Sequence, residues 1–582
     1  MRQALLMLLA ALALLGALAL KGAPIALPSP PKRADALSFD SNRAAARLAR
    51  ILGDQRPHAV DSEAGDAVRA RLIAEMRSVG LAPRVTDDFA CNSFPHNRNI
   101  ACARVRNLVA TVGPAGGRHL LLVSHYDSTF AGPGAADDGI GVAAMLEVAE
   151  AIRGLRLARP VTFLINEGEE MGLLGARAFL ARDPAAGEVE WVVNLEARGV
   201  TGPAIMFETS RPNGRAIAWY DRAAARPVAN SLSTDLYRLI PNSTDVAVFE
   251  ERPWTILNFA VIGNETRYHS AGDDLAALDR RSLQHMGEQA LAAAIAVAGP
   301  GAEPPSGAGT RLYMDVPLLG LIVLPQMLGL VLLGVLALFF LAEAGRRRAL
   351  GRPLIAMAVA FGGSAVVAFA GHYILHLIRP GDYWRAYPLV TTSAVYASAL
   401  AAAVAALLLV AGTAERTRLR AAFWLFYVAL GAAICILAPG AAIYFLLPPF
   451  VAAIGMAREW PLAWAERAAA IAAVILLFLT LGPALALFET LMNDDPQWIF
   501  APLGATLLLP ALIELRPLLG GLGRVFVVAG AFDLAIAGWL AAGLAPAYSV
   551  DRQQLFTIEY VWDESAGSGR FAVNNDGAPV PF

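Results

Sequence analysis

The pattern of hydrophobic and polar residues divides the chain into two parts. Between residues 38 and 300, short apolar segments alternate with polar and charged stretches, as in a water-soluble domain. From about residue 316 to residue 545, long apolar segments dominate, and the charges lie mainly in the connections between them. The sequence therefore predicts a soluble domain followed by a bundle of membrane spans.

In the first part, short buried strands alternate with helices. We predict strands at 82–90, 107–112, 119–124, 161–165, 189–195 and 255–262, and helices at 44–52, 64–79, 142–152, 173–181 and 281–298. Such alternation is typical of an α/β domain with a mostly parallel central sheet flanked by helices. We expect residues 38–300 to form this domain.

The second part contains eight apolar segments, each a candidate membrane span. They lie near 316–342, 354–377, 387–412, 421–438, 440–457, 468–489, 498–514 and 525–545, and the break at 439–440 makes the fourth and fifth a tight hairpin. We expect an all-helical domain at 315–546, after a Gly/Pro/Ala-rich linker at 301–314. Residues 547–582 alternate like a small β segment, with strands at 555–561 and 571–573. This tail is too short to fold well alone.

Charges around the apolar segments predict the orientation in the membrane. The apolar run from Ala4 to Leu20 indicates that residues 1–26 are a signal peptide or an uncleaved anchor, and both would export the following domain. Among the later segments, alternate connections carry arginines, which lie at 346–352, 416–420, 458 and 516–524. Because positively charged loops stay in the cytoplasm, the soluble domain and the C-terminal tail are predicted on the opposite side.

Composition adds constraints on partners and compartment. The formal net charge of −2 provides no basic surface and argues against a nucleic-acid partner. Lysine occurs only at Lys21 and Lys32, and arginine and alanine are used heavily, which favours a bacterial inner-membrane protein over one facing a eukaryotic lumen. Cys91 and Cys102 flank a polar stretch that resembles a hairpin tip. They are expected to form a disulfide in an oxidising compartment, with two reduced thiols as the alternative.

Histidines and carboxylates follow the ends of the predicted strands. They are His125, Asp127, Asp137, Asp138, Glu169, Glu170, Glu196 and His269. Loops after successive parallel strands gather at one edge of the sheet, so groups far apart in sequence can converge there. Histidine and carboxylate ligands with one shared carboxylate suit a pair of Zn²⁺ ions. Each residue alone is compatible with a structural role, but the whole set predicts a metal hydrolase.

The arrangement also predicts individual roles. Asp137 is the expected bridge; His125 and Glu196 would bind one metal ion, and Glu170 and His269 would bind the other.

Two further residues are assigned by their positions. Glu169 is adjacent to Glu170, so the two side chains must diverge, and Glu169 is predicted to be the general base that moves a proton from water to the leaving amine. Asp127, two residues after His125, is expected to hold the second nitrogen of that imidazole. Glu167 is interpreted as structural.

Six stretches resemble the zinc exopeptidase family that includes aminopeptidase Y, glutamate carboxypeptidase and glutaminyl cyclase. They are NLVATV at 107–112, LLLVSHYDS at 120–128, GPGAADDGIGVAAMLEVA at 132–149, VTFLINEGEEMGLLGARAF at 161–179, VVNLEARG at 192–199 and YHSAGDDL at 268–275. One span before the soluble domain and eight after it resemble the endoplasmic-reticulum and vacuolar membrane metallopeptidases of that family. The resemblance implies a phosphorylase/hydrolase-like domain and aminopeptidase activity on peptides.

The resemblance also implies roles for single residues. It implies two Zn²⁺ ions on His125, Asp137, Glu170, Glu196 and His269, Glu169 as the catalytic acid/base, and Asp127 as the carboxylate that orients His125. Tyr268 is expected to help bind the substrate or the oxyanion. Arg198 stands where the family is expected to have a small residue, and it bears on substrate choice. His58 is expected to be structural.

Other functions remain open at this stage. The same scaffold supports a glutaminyl cyclase that uses one zinc, or a binding role without catalysis. The membrane part would suit a transporter or proton relay if Asp533 and Glu514 lie within spans. His372 and His376 share a helix face and fit either a metal site or the membrane interface. The sequence predicts no oligomeric state.

Overall fold

The computed structural model describes residues 27–31, 37–94, 99–240, 242–317, 319–379, 381–457, 464–493, 497–521, 523–554 and 556–575. Contacts divide the chain into two compact units. One comprises residues 24–326 with 438–440, and the other includes residues 327–437 and 441–582. The predicted N-terminal span and Arg458 lie outside the described residues.

A seven-stranded sheet forms the centre of the first unit, in the order β1-β4-β6-β5-β7-β9-β8. The strands are β1 Arg84–Val85, β4 Leu108–Val112, β5 His119–His125, β6 Val161–Asn166, β7 Val189–Ala197, β8 Thr201–Thr209 and β9 Thr255–Gly263. The central strands β6, β5, β7 and β9 run parallel, whereas β1, β4 and β8 pair antiparallel with their neighbours. The predicted parallel core is confirmed, and its edges make the whole sheet mixed.

Helices cover both faces of this sheet. They are Ser41–Leu52, Glu63–Ser78, Gly139–Ile152, Leu174–Arg182, Gly214–Ala223, Ser231–Tyr237, Val246–Phe249 and Arg280–Ala298. Side chains of β5 alternate between two cores: Leu120 and Leu122 pack in one, and Leu121 and Val123 pack in the other. Burial on both faces explains why this strand is a continuous apolar run in the sequence.

The predicted strand at 82–90 is two strands in the structure. The first is β1, and the second is β2 Asp88–Phe94, which pairs with β3 Asn99–Val105 in a separate hairpin. Cys91 and Cys102 lie opposite each other in this hairpin and form a disulfide. Strand β8 was not predicted. It contains a Gly-Pro pair at its start, which is tolerated because β8 lies at the sheet edge.

The predicted start of the first membrane segment, at residue 316, is wrong. Strands β10 Arg311–Val316 and β11 Gly320–Pro325 form an antiparallel hairpin, and the apolar helix begins only at Gln326. Leu321 and Val323 of the hairpin pack against the larger core of the first unit. The apolar residues before Gln326 are therefore explained by packing in the soluble part.

The second unit consists mainly of apolar helices. Among the described residues, seven are long and apolar enough to cross a membrane: Gln326–Arg346, Arg352–Ile378, Pro388–Val410, Arg416–Ile434, Ala465–Leu491, Gln497–Leu519 and Arg524–Leu544. An eighth crossing requires the pair Pro439–Phe445 and Leu447–Met456, bent by 42°, to count as one span. Prolines at 448 and 449 lack the N–H groups that would continue a straight helix.

Two smaller predictions concern the same unit. In the tail, β12 Phe556–Asp563 and β13 Ser568–Asn575 form the expected antiparallel pair. His372 is hydrogen-bonded through Nδ1 to the Tyr383 hydroxyl at 2.9 Å. Within the described part of the chain, no third metal-ligating side chain joins His372 and His376, so this pair is not a three-ligand metal site.

We expect Gly175→Ala to destabilise the first unit. An added Cβ would lie 2.4 Å from the carbonyl oxygen of Glu167 and 2.7 Å from Oδ1 of Asn107. The overlap should cost about 1–3 kcal/mol and outweigh the better helix propensity of alanine. Thermal unfolding of the full-length protein measures the loss. The control is Gly154→Ala, where a Cβ meets no atom within 4 Å, and equal melting temperatures for the two variants would contradict the packing argument.

Candidate metal centre

The residues singled out from the sequence lie at the carboxyl edge of the parallel strands. His125 ends β5 and Glu196 lies near the end of β7. Glu169 and Glu170 lie in the loop after β6, and His269 lies in the loop after β9. This edge is therefore where the side chains converge, as expected for an open α/β sheet.

Asp137 lies between two groups of possible metal ligands. Its Oδ1 is 3.4 Å from Nε2 of His125, which is 3.8 Å from Oε2 of Glu196. Its Oδ2 is 3.2 Å from Nε2 of His269, which is 3.1 Å from Oε2 of Glu170. Within each group, the ligand atoms lie within 4.8 Å of one another. The two oxygens of one carboxylate thus face two separate sets of histidine and glutamate.

Two buried polar atoms at this position are not satisfied by the protein. Nε2 of His125 and Oε1 of Glu170 have no hydrogen-bond partner among the described residues. Leaving such atoms unpaired costs about 1–3 kcal/mol each. Imidazole nitrogen and carboxylate oxygen are donors that zinc accepts, so the side chains present fit a metal ion.

The electrostatics of the centre favour bound positive charge. Burial raises the pKa of Glu170 to about 7, and the nearby Asp137 carboxylate raises it further. Burial also raises the pKa values of Glu169 and Glu196 well above the usual range. Burial would lower the pKa of His269, but hydrogen bonds with Asp137 and Glu170 outweigh it and raise this pKa to about 10. Crowded carboxylates of this kind are stabilised by cations.

Asp127 supports the centre differently from the prediction. The main-chain carbonyl of Asp127, and not its carboxylate, accepts the hydrogen bond from Nδ1 of His125, at 2.9 Å. The carboxylate lies 3.6 Å from that nitrogen. It accepts the backbone N–H groups of Glu169 and Glu170 at 3.2 and 3.3 Å. Because only one residue separates His125 from Asp127, the main-chain carbonyl of Asp127 is the group that contacts the imidazole. The carboxylate of Asp127 is then free to bind the loop that carries Glu169 and Glu170.

Asp273 is a supporting residue that the sequence analysis did not identify. Its carboxylate accepts the backbone N–H groups of Ala136 and Asp137 at 2.7 and 3.0 Å, so it fixes the segment that carries Asp137. Burial raises the pKa of Asp273 to about 7. The signal was present, since Asp273 lies four residues after His269 in a stretch already singled out.

Asp138 holds the same segment from the other side. Its carboxylate accepts the backbone N–H of Gly141 at 3.1 Å and the Ser124 hydroxyl, and so caps the helix Gly139–Ile152. Asp245 was also missed. It is buried, accepts a hydrogen bond from Asn166 at 2.5 Å, and lies in a loop with no sequence signal that connects it to the site.

Aromatic and basic residues border the second ligand group. The Tyr268 ring stacks on the His269 imidazole, with centroids 3.6 Å apart. The Arg198 guanidinium lies 5.5 Å from the centroid of the Tyr268 ring. Burial raises the pKa of Tyr268 well above its usual range, so the phenol is neutral at physiological pH. His58 instead bonds to the Arg56 carbonyl at 3.1 Å and belongs to neither ligand group.

Comparisons with known proteins agree with this geometry. Residues 107–294 match the family model described as Peptidase family M28. This segment is a Peptidase family M28 domain. The matched segment contains the histidine and carboxylate groups described above.

Curated relatives match part of the chain. Vacuolar membrane protease of Phaeosphaeria nodorum is 30% identical over 285 residues, covering 44% of this chain and 29% of that protein. Endoplasmic reticulum metallopeptidase 1 of Homo sapiens is 30% identical over 195 residues, covering 33% of this chain and 23% of that protein. The chain thus matches about a quarter of the length of these relatives, 29% and 23% respectively.

Solved structures similar to the chain include an aminopeptidase from Aneurinibacillus sp. strain AM-1. It is 14% identical, with a TM-score of 0.38, and the match covers 47% of this chain and 98% of that chain. A glutaminyl cyclase from Porphyromonas gingivalis is 19% identical, with a TM-score of 0.37, covering 45% and 98%.

We expect Asp127→Asn to weaken metal binding. An amide can accept only through its single oxygen, so one N–H of the glutamate loop would face an NH₂ group. Loss of such supporting contacts lowers metal affinity about 10–100-fold. Competition with a zinc-sensitive dye measures the change. The matched control is Asp54→Asn, an exposed surface carboxylate, and unchanged affinity in Asp127→Asn would contradict the supporting role.

We also expect zinc binding to release protons at pH 7. Because the pKa of His269 is about 10 before metal binds, its imidazole carries a proton that must leave before the nitrogen can coordinate. About one proton should leave this residue, and zinc affinity should fall as the pH is lowered. Calorimetric titration of chelator-treated protein in buffers of different ionisation enthalpy measures this release. Heats independent of the buffer would contradict it.

Proposed function

We propose that the first unit is a two-zinc aminopeptidase that removes N-terminal residues from peptides. The observation that carries this proposal is the position of Asp137, whose two oxygens face separate histidine–glutamate groups. His125 and Glu196 would hold one zinc ion, Glu170 and His269 would hold the other, and Asp137 would serve both.

The chemistry then divides between the metals and the side chains. Bound zinc would supply Lewis acidity for the peptide carbonyl and lower the pKa of water. Glu169 accepts the proton of the attacking water on its carboxylate and passes it to the nitrogen of the leaving amine. Its position supports this role, because its carboxylate lies within 4.8 Å of ligand atoms of His125 and of Glu170, one from each proposed ligand group.

Tyr268 is proposed to stabilise the reacting carbonyl. A neutral phenol can donate a hydrogen bond to the oxygen on which negative charge develops. The stacking of Tyr268 on His269 supports this assignment, because it fixes the ring beside one of the two ligand groups.

We further propose that this domain lies outside the cytoplasm of a bacterial inner membrane. Arginines cluster at alternate ends of the described membrane helices, at 346–348 and 352, 416–420, and 516 and 524, which supports a cytoplasmic position for those ends. The Cys91–Cys102 disulfide supports an oxidising compartment for the domain. Peptides and the lipid bilayer are then its partners.

Replacement of Glu169 by Gln tests the proposed reaction. Gln cannot accept the proton of water, so turnover of aminoacyl chromogenic substrates should fall about 10²–10⁴-fold. Bound zinc should remain, since Glu169 is not one of the five proposed ligands. The matched control is Glu188→Gln, a replacement of an exposed glutamate in the same domain.

Two outcomes would count against the proposal. Full turnover in Glu169→Gln would exclude this residue as the base. Release of ammonia from peptides that begin with glutamine, without peptide cleavage, would show a glutaminyl cyclase.

A further inference from the structure

The second unit contains a cavity of about 620 Å³ lined by arginines. The arginines are Arg416, Arg420, Arg467, Arg516 and Arg524. They come from the ends of different apolar helices, which meet at one end of the bundle. The volume is in the range of cavities that hold small ligands, about 300–1,000 Å³.

Positive charge on the lining is only partly neutralised by the protein. Arg420 donates to both carboxylate oxygens of Glu514, at 2.6 and 2.7 Å, so this pair is internally balanced. The acidic lining residues are Glu415 and Glu466, and Glu466 also accepts a hydrogen bond from Arg347 at 2.7 Å. The remaining arginines therefore outnumber the carboxylates that face them.

Two guanidinium groups retain unused donors. Nη1 of Arg416 and Nε of Arg467 are buried and have no hydrogen-bond partner in the part of the chain that the structure describes. The carboxylate near Arg467 is that of Glu514, at 3.8 Å from Nε, which is too long for a hydrogen bond. An acceptor bound in the cavity would satisfy these donors.

The backbone around the cavity holds one of the arginine side chains in place. Arg516 donates to the main-chain carbonyls of Ala414 and Gly412, which fixes its guanidinium at the lining. The helices Arg416–Ile434 and Arg524–Leu544 both begin here. The first N–H groups of a helix attract anions, so two helix starts add to the arginine charge.

We propose that this cavity binds a phosphate-bearing anion, supplied either by the headgroup of an acidic phospholipid or by free phosphate. The planar fork of arginine donors matches the oxygens of phosphate. Basic pockets between membrane helices are suited to anionic headgroups. The site is separate from the peptidase chemistry, since none of its residues belongs to the metal centre.

Titration of the full-length protein tests the proposal. Protein stripped of lipid in a neutral detergent is titrated with inorganic phosphate and, separately, with short-chain phosphatidylglycerol, and the melting temperature is followed. At least one of the two ligands should raise the melting temperature, and the rise should level off as the site saturates. In Arg416→Gln with Arg467→Gln, affinity should fall at least about tenfold, because charge-assisted hydrogen bonds are lost. The matched control is Arg418→Gln, which removes an exposed arginine of the same helix outside the cavity.

Each outcome decides the proposal. Saturation by inorganic phosphate identifies the free anion as sufficient, and saturation by the phospholipid alone identifies the headgroup. Stabilisation by neither would overturn the proposal. So would an equal loss of affinity in Arg418→Gln, or equal stabilisation by diacylglycerol of the same chain length. If the double variant does not fold, Arg416→Lys keeps the charge but loses the planar fork, and wild-type affinity in that variant would overturn the proposal.

Discussion

The metal centre depends on the balance between buried carboxylates and positive charge. Asp137, Glu170 and Glu196 approach two imidazoles, of which His125 is buried and His269 is partly exposed, and like charges brought this close repel each other. At the periphery, the carboxylates of Asp127 and Asp273 accept hydrogen bonds from the backbone N–H groups of Glu169 and Asp137, but ligand atoms in the middle are left without a partner among the described residues. A pair of dications would satisfy these atoms and neutralise the carboxylates.

Sheet topology explains why residues so distant in sequence meet. Three parallel pairings order β6, β5, β7 and β9 side by side, so their carboxyl ends deliver side chains to one edge. Strands β5 and β6 are buried along their whole length. Their continuous apolar sequences therefore made both strands, and the polar residues that follow them, predictable. To predict that the five proposed ligands converge, it was enough to know that their strands are parallel neighbours and that the carboxyl ends of such strands meet at one edge of the sheet.

Other features could not be predicted, because their causes are long-range contacts. Strand β8 lacks a clear apolar pattern and exists because β9 offers a pairing edge. Strand β11 resembles the start of a membrane span, but it packs on the soluble core. The hydrogen bond between Asp245 and Asn166 joins a loop to the end of β6, and no local pattern encodes their proximity. Local periodicity therefore predicted the elements, and tertiary packing determined their boundaries and the supporting residues.

Because Asp137 lies between two groups of possible ligands, the number of zinc ions bound per chain can be predicted and measured. Full-length protein is saturated with zinc, and loosely held metal is removed by gel filtration. The zinc content per chain is then measured by elemental mass spectrometry. The account predicts two zinc ions per chain, because each histidine–glutamate group would hold one ion with Asp137 between them. One ion per chain, or none, would contradict it.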